Sequence, residues 1–146
     1  MRAFSLVVLV VVMAIVAMAL MAAWPAMSRF QMDAQINESL NALSMDLRLA
    51  ASDSRSAWQD DVYGLKFFED YYTVYRGESY VTRKSEFDRL VSLPRTLDFQ
   101  LELGAIEDEI SFNRRGLPEA FGSVTIGRSG EVGKTLLINK LGVIEK

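Results

Sequence analysis

This chain of 146 residues has no cysteine and no histidine, and it contains only three prolines. Without cysteine it can form no disulfide, and it offers no thiolate as a nucleophile or metal ligand. Without histidine it lacks the commonest general base and metal ligand at neutral pH. These absences exclude Ser-His-Asp hydrolases and histidine- or cysteine-ligated zinc sites, so we expect no catalysis, no metal and no cofactor.

Polar side chains are almost missing from the first part of the chain. Between Phe4 and Trp24, a run of 21 residues, the only polar residue is Ser5. A helix of this length spans roughly 30 Å, the thickness of the hydrocarbon core of a bilayer. A helix that is apolar on every face needs lipid or similar helices around it. We therefore predict a transmembrane helix over 4–26 and a single-pass location in the cytoplasmic membrane, with the globular part on the extracytoplasmic side.

Two other interpretations of this run stay open. The segment Ala17-Met18-Ala19 fits the small-x-small cleavage site of a secretory signal peptide. The apolar run is longer than the core of about 7–15 residues that is usual in such peptides. A generic membrane anchor is the second alternative.

The segment 27–52 is predicted to continue the helix in amphipathic form. Its apolar residues are spaced by four, three and four, which places them on one helical face. No glycine or turn cluster separates them from the apolar run, so we predict one helix to about Ser52. Pro25 lies inside it and predicts a kink, because proline lacks the backbone N–H. The apolar face consists of Ile36, Leu40, Leu43 and Leu47.

Residues 53–146 are predicted to form a globular domain that packs on 27–52. The hydrophobic period falls to two, and short apolar or aromatic runs alternate with turn residues. The predicted fold class is therefore α+β, a long N-terminal helix, transmembrane in its first half, packed on an antiparallel β-sheet. The predicted strands are 63–68, 71–76, 80–82, 89–93, 97–103, 110–113, 123–126, 134–139 and 143–145.

Charge is distributed unevenly behind the net charge of −3. Residues 27–109 carry nine Lys and Arg against 16 Asp and Glu, whereas residues 110–146 carry six against three. Such complementary parts favour head-to-tail packing of identical or related subunits, although ordinary solvated charge is the simpler interpretation. Candidate contacts with a partner subunit or with DNA lie in the basic part, at Arg114, Arg115, Arg128 and Lys140.

Three patterns in the globular part suggest ligands, and each has a simpler explanation. Gly127–Thr135 resembles a phosphate-binding loop, but Arg128 stands where that motif needs glycine and a strand follows, so we predict a glycine-rich hairpin turn and no nucleotide. The acidic residues of 60–70 and 107–109 lack the alternating spacing of a calcium loop. The aromatic residues of 67–80 lie in an acidic region, which argues for core packing rather than for stacking on nucleic acid.

A long helix, apolar and then amphipathic, followed by an antiparallel sheet, resembles the type IV pilins and pseudopilins. Phe4-Ser5-Leu6-Val7 is similar to the start of a processed pilin, with Ala3 where the prepilin peptidase usually finds glycine. Counted from Phe4, Pro25 is the twenty-second residue, where pilins commonly carry proline. The segments 110–118, 122–126 and 136–144 resemble the C-terminal half of GspH-type pseudopilins. In length and ending the chain is similar to the ComGD-type minor pilins of Gram-positive competence systems.

The resemblance implies cleavage between Ala3 and Phe4, after a leader-like segment 1–3, followed by methylation of the new N-terminus. It implies other major or minor pilins or pseudopilins, a membrane assembly platform and the prepilin peptidase as partners. The family typically carries Glu at the position of Val8, and the lack of this carboxylate suits a minor or tip subunit. By the resemblance, the filament core contains Phe4, Leu6, Val8, Leu9, Val12 and Pro25.

The function expected from the resemblance is that of a structural minor pilin or pseudopilin in a type IV pilus-like machine. A competence pilus for DNA uptake is the first choice, with the chain in the tip or priming complex. A type II secretion pseudopilin and a membrane-tethered extracellular binding module are alternatives that the sequence leaves open.

Overall fold

The computed structural model describes residues 2–56, 61–104, 108–128 and 130–145. Within the N-terminal helix, side chains are described for 6–21 and 27–56. The chain divides into two compact units, Met1–Gln35 and Ile36–Lys146. The described part of the first unit is helical, and the second unit is α+β.

A single helix, α1, runs from Arg2 to Ser56. It ends four residues beyond the predicted Ser52. No glycine interrupts it, and Arg55 in its last turn has the charge that suits a helix C-terminus. Pro25 falls within the helix, but its side chain, and with it the predicted kink, lies outside the described side chains.

Among the residues that the structure describes, no helical segment is both long enough and apolar enough to cross a bilayer. From Met27 onward, Ser28, Arg29 and Asp33 make the helix polar. The predicted transmembrane helix over 4–26, and with it the single-pass location in the cytoplasmic membrane, is therefore wrong.

Eight described strands form two four-stranded antiparallel sheets in the second unit. The first has the order β3-β2-β1-β5, and the second has the order β4-β6-β7-β8. A short 3-10 helix over Ser85–Phe87 precedes β3. The strands are β1 (Tyr63–Phe67), β2 (Tyr71–Arg76), β3 (Arg89–Ser92), β4 (Asp98–Leu103), β5 (Glu109–Ser111), β6 (Gly122–Gly127), β7 (Lys134–Ile138) and β8 (Ile144–Glu145).

The prediction of one antiparallel sheet is thus also wrong. The chain leaves the first sheet at Pro94, which has no N–H for a ladder and whose carbonyl accepts a 2.9 Å hydrogen bond from the N–H of Leu97. β4 then pairs with β6 instead of β3. The predicted strand at 80–82 is a turn, in which Arg83 Nη1 donates to the carbonyl of Tyr80.

The core of the second unit lies between the helix and the two sheets. Leu43 and Leu47 are completely buried, and Ile36 and Leu40 are nearly so. Phe99 and Leu101 on β4 are half-buried. The buried apolar residues in and beside the strands include Leu97, Ile110, Phe112, Val124, Ile126, Leu136 and Ile138.

Candidate functional site

The first candidate surface is the apolar part of α1. All side chains over 6–21 are exposed, and none of them is polar. Leu6 is 66% exposed, and Val8, Leu9 and Val12 are between 47% and 57% exposed. A helix that exposes apolar side chains on every face is incomplete without other apolar groups to cover it. The arrangement can bind other helices, and it offers no acid, base or nucleophile for chemistry.

Three of the predicted processing and filament-core residues are not part of this surface as described. The side chains of Ala3, Phe4 and Pro25 lie outside the described ones, so the predicted cleavage site and proline are not placed. The residues of the predicted apolar face of 27–52, which we call the seam, are buried in the core of the second unit. They are Ile36, Leu40, Leu43 and Leu47.

Three of the four predicted basic contacts, Arg114, Arg115 and Lys140, lie in two turns of similar geometry. In the first turn, over 113–118, the side-chain oxygen Oδ1 of Asn113 accepts hydrogen bonds from the N–H of Arg115 at 2.9 Å and of Leu117 at 3.1 Å. Gly116 has a φ of +72°, which favours glycine. These bonds fix the backbone from which the exposed Arg114 and Arg115 extend.

The second turn, over 139–143, repeats this geometry. Oδ1 of Asn139 accepts from the N–H of Leu141 at 2.9 Å and of Val143 at 3.0 Å, and Gly142 has a φ of +75°. The exposed Lys140 and Leu141 extend from it. The pattern Asn, base, any residue, Gly, apolar residue occurs at both places, 26 residues apart, and it is the signal that the sequence reading missed.

The two turns lie against each other. A Cβ added to Gly142 would stand 3.3 Å from the carbonyl oxygen of Gly116 and 3.5 Å from Cδ of Pro118. Arg55 at the end of α1 contacts the first turn, because its Nε donates to the carbonyl of Arg115 at 3.3 Å. We call residues 113–118 and 139–143 the paired turns. They contain three cations and no acidic residue.

The structure separates Arg128 from the paired turns. It lies in the connection between β6 and β7, whereas Lys140 follows the opposite end of β7. Nη1 of Arg128 stands 3.6 Å from a carboxylate oxygen of Glu131. Arg114 lines a cleft with Glu78 and Glu119. Nζ of Lys140 lies 4.7 Å from the centre of the Phe121 ring, beside a second concave surface that Glu102 and Glu145 also line.

A second concave surface lies at the far end of the first hairpin. Phe67 of β1, Tyr71 of β2 and Phe68 between these strands line an open groove of about 560 Å³ together with Phe99 and Leu101 of β4. The rings of Phe68 and Tyr71 stack with centroids 4.4 Å apart. Three carboxylates stand at the rim, and we call this site the aromatic groove. The rim residues are Glu69, Asp70 and Asp108.

The rim is acidic even though one of its carboxylates is paired. Asp108 accepts a 2.5 Å hydrogen bond from Nζ of Lys66, while Glu69 and Asp70 are exposed in the turn between β1 and β2. An apolar floor with an acidic rim suits a ligand that presents a cation next to an apolar group. The side chains that line the groove include no serine or cysteine nucleophile and no histidine base.

Two buried tyrosines are held by carboxylates in the second unit. Burial, and then the bond to Asp46, raises the pKa of Tyr72 above its ordinary value, and burial with the bond to Glu109 does the same for Tyr75. Both tyrosines therefore stay protonated hydrogen-bond donors at neutral pH. The Tyr75 hydroxyl donates to Oε1 of Glu109 at 2.5 Å, and the N–H of Tyr80 reaches the same oxygen at 2.9 Å.

The sequence segments that resemble phosphate-binding and calcium-binding motifs form a strand connection and ion pairs in the structure. The segment from Gly127 to Thr135 connects β6 to β7, with Ser129 outside the described residues. Asp61 bonds Nε of Arg76 and Nζ of Lys84, while Asp60 and Glu107 lie outside the described residues. No group of three potential metal-ligating side chains comes together within the described ranges.

Comparisons with known proteins return no family model, no curated protein and no solved structure that matches this chain.

Proposed function

We propose that this chain is a structural subunit of the minor pilin or pseudopilin type, which joins a filament through the apolar side chains of α1. The observation that carries the proposal is the exposed apolar run over 6–21, on a helix whose continuation over 36–50 buries an amphipathic seam. One helix thus serves two purposes, since its second part belongs to a folded core and its first part is left for partners.

The physical drive for this assembly is the covering of apolar surface. Burial of apolar surface contributes about 25 cal/mol for each Å² removed from water. The side chains of Val8 and Leu9 contain no polar group that would lose hydration when helices pack on them. The resemblance in length and ending to the ComGD-type minor pilins favours a competence pilus over a secretion pseudopilus.

The assembly test places a charge on the apolar surface. We expect Leu9→Asp and Val12→Asp to abolish association of the full-length chain, because an unpaired carboxylate between packed helices costs several kcal/mol. Sedimentation velocity, after the detergent used in purification is removed, measures the association. The matched control is Met45→Asp, which also places a charge at an exposed apolar position of α1, 70% exposed.

The absence of native cysteine allows a second measurement. A single Val12→Cys substitution gives the chain one thiol, and we expect it to form cross-links between copies with a short bis-maleimide. Met45→Cys serves as the control and is expected to cross-link poorly. Association of Leu9→Asp equal to that of the unchanged chain, or equal cross-linking at 12 and 45, contradicts the proposal.

A minor subunit is also expected to be present in few copies. Val8 carries no carboxylate for the amine of a neighbouring subunit, so we place the chain at the end of the filament. Gold labelling of filaments from cells that make them measures this position. Labels at filament ends are expected, and many evenly spaced labels contradict the tip position.

A further inference from the structure

We propose that the paired turns of one copy dock in the aromatic groove of a second copy, in a head-to-tail contact between globular parts. This inference rests on the proposed function, because it adds a second contact between the subunits that α1 is proposed to assemble. The paired turns are residues 113–118 and 139–143, and the groove is formed by residues of β1, β2 and β4 with an acidic rim.

The first argument is the placement of the two surfaces. The N–H of Phe112, just before the first turn, donates to the carbonyl of Tyr63 at the start of β1. The groove is lined by Phe67 at the other end of β1. Five residues of strand separate these ends by about 13 Å. One copy therefore presents the turns at one end of the sheet and the groove at the other, which is the arrangement of a heterologous contact.

The second argument is charge. The paired turns present Arg115 and Lys140, and their own residues include no carboxylate. The groove presents Glu69 and Asp70, which are exposed and belong to a turn that has no base. Opposite charges on two surfaces of the same molecule favour the contact of one copy with the next and disfavour contact between like ends.

The third argument is the apolar and aromatic content of both surfaces. Leu141 on the second turn is 75% exposed next to Lys140. The floor of the groove offers Phe99 and Leu101, which are half-buried on β4. The stacked rings of Phe68 and Tyr71 offer a face to a guanidinium, an arrangement that arginine adopts readily.

The fourth argument is rigidity. Each turn is tied by an asparagine side chain to two backbone N–H groups, and the turns contact each other through Gly142 and Gly116. Groups held in place before binding lose less conformational entropy when they bind. The cations of the paired turns are therefore attached to a backbone that is already ordered for docking.

Cross-linking tests the geometry of this contact in the full-length chain. Detergent is kept in the buffer so that the apolar part of α1 is covered. We expect a mixture of Asp70→Cys and Arg115→Cys chains to form disulfide-linked heterodimers. Each variant alone is expected to form homodimers about tenfold less, because a head-to-tail contact brings 70 against 115 and never 115 against 115.

Charge reversal tests the energetics of the same contact. Asp70→Arg and Arg115→Glu are each expected to weaken association at low salt by about tenfold or more, since every tenfold corresponds to about 1.4 kcal/mol and like charges in contact repel. An equal mixture of the two variants restores association, because the unchanged paired turns of the Asp70→Arg chain then meet the unchanged groove of the Arg115→Glu chain. Sedimentation equilibrium at low and high salt measures both effects.

The matched controls are exposed charges outside both surfaces, Glu86→Arg and Arg128→Glu. They are expected to leave association unchanged. Equal loss in the controls, homodimers of Arg115→Cys as abundant as the heterodimers, or failure of the mixture to restore association overturns the proposal. The Leu9→Asp variant tests the apolar surface of α1 instead, and we expect it to keep the cross-link between residues 70 and 115. A failure of the proposed function is thereby distinguished from a failure of this inference.

Discussion

The hydroxyl of Tyr72 on β2 donates a 2.7 Å hydrogen bond to Oδ2 of Asp46 on α1. Nη2 of Arg89 on β3 donates to Oδ1 of the same carboxylate at 2.5 Å. Both oxygens of a carboxylate that is 8% exposed are thus satisfied by groups from two strands. The helix is held to the first sheet by a polar contact as well as by its apolar seam.

Removal of the Tyr72 hydroxyl is predicted to destabilise the second unit. Tyr72→Phe keeps the ring and takes away one of the donors to a buried carboxylate, which costs about 1–3 kcal/mol of unfolding free energy. Urea unfolding followed by circular dichroism measures the change. Tyr71→Phe, at a half-buried ring on the neighbouring residue, is the control and is expected to change the unfolding free energy by less than about 0.5 kcal/mol. Equal losses in both variants contradict the assignment.

Stability is predicted to fall in alkaline solution. The pKa values of Tyr72 and Tyr75 are raised in the folded chain, first by burial and then by their carboxylate partners. An unfolded tyrosine loses its proton near about pH 10, whereas these two keep theirs in the fold. Their contribution is therefore fully present below about pH 10 and is lost as the pH rises further, because the unfolded chain then binds fewer protons.

The measurement is a set of urea unfolding curves across the alkaline range, together with the ultraviolet absorbance of tyrosinate. We expect the absorbance of two tyrosines to appear only as the chain unfolds. The double variant Tyr72→Phe and Tyr75→Phe is the control, and its stability is expected to depend less steeply on pH. Ionisation of all five tyrosines before unfolding contradicts the prediction.

The seam of α1 is predicted to carry much of the stability of the second unit. Leu43 has no exposed surface, and Leu43→Ala is expected to lower the unfolding free energy by about 2–5 kcal/mol through lost burial and a cavity. Met45→Ala, two residues away on the exposed side of the helix, is expected to change it by less than about 0.5 kcal/mol. Chemical denaturation of both variants tests the difference, and a small loss in Leu43→Ala means that the helix does not pack on the sheets.

Gly116, in the first of the paired turns, is predicted to be required for stability for two reasons. Its φ of +72° disfavours other residues by about 1–2 kcal/mol, and a Cβ would stand only 2.6 Å from the carbonyl oxygen of Ala51. Gly130→Ala isolates the first reason, because Gly130 has a φ of +82° with no atom within 4 Å of an added Cβ. We expect Gly116→Ala to lower the melting temperature clearly more than Gly130→Ala does. Equal shifts contradict the close contact with α1.

Much of the fold follows from local pattern, and the arrangement of the sheets does not. The spacing of Ile36, Leu40, Leu43 and Leu47 predicts a buried face, and the alternation over 97–103 predicts a strand. Neither pattern states which strand pairs with which, so the division into two sheets after Pro94 was not predicted. Pairings such as that of Asp98 with Gly127 join residues far apart in the sequence.

The candidate surfaces were predictable to different degrees. The basic residues 114, 115 and 140 are visible as charges, but their meeting depends on two turns that a tertiary contact brings together. The aromatic groove escaped the sequence reading because alternation assigns Phe99 and Leu101 to the core. In the structure these side chains line the open groove and are only half-buried. The transmembrane prediction is wrong, because no helical segment of the described residues is both long enough and apolar enough to cross a bilayer.

Because Gly142 lies against the carbonyl of Gly116, the effects of substitutions at these two positions depend on each other. A side chain at 142 displaces the backbone of the other turn, so its effect depends on which residue stands at 116. Effects of substitutions at residues in contact do not add, and the second change alters the penalty of the first. The loss of stability in a Gly116→Ala and Gly142→Ala double variant will therefore differ from the sum of the two single losses.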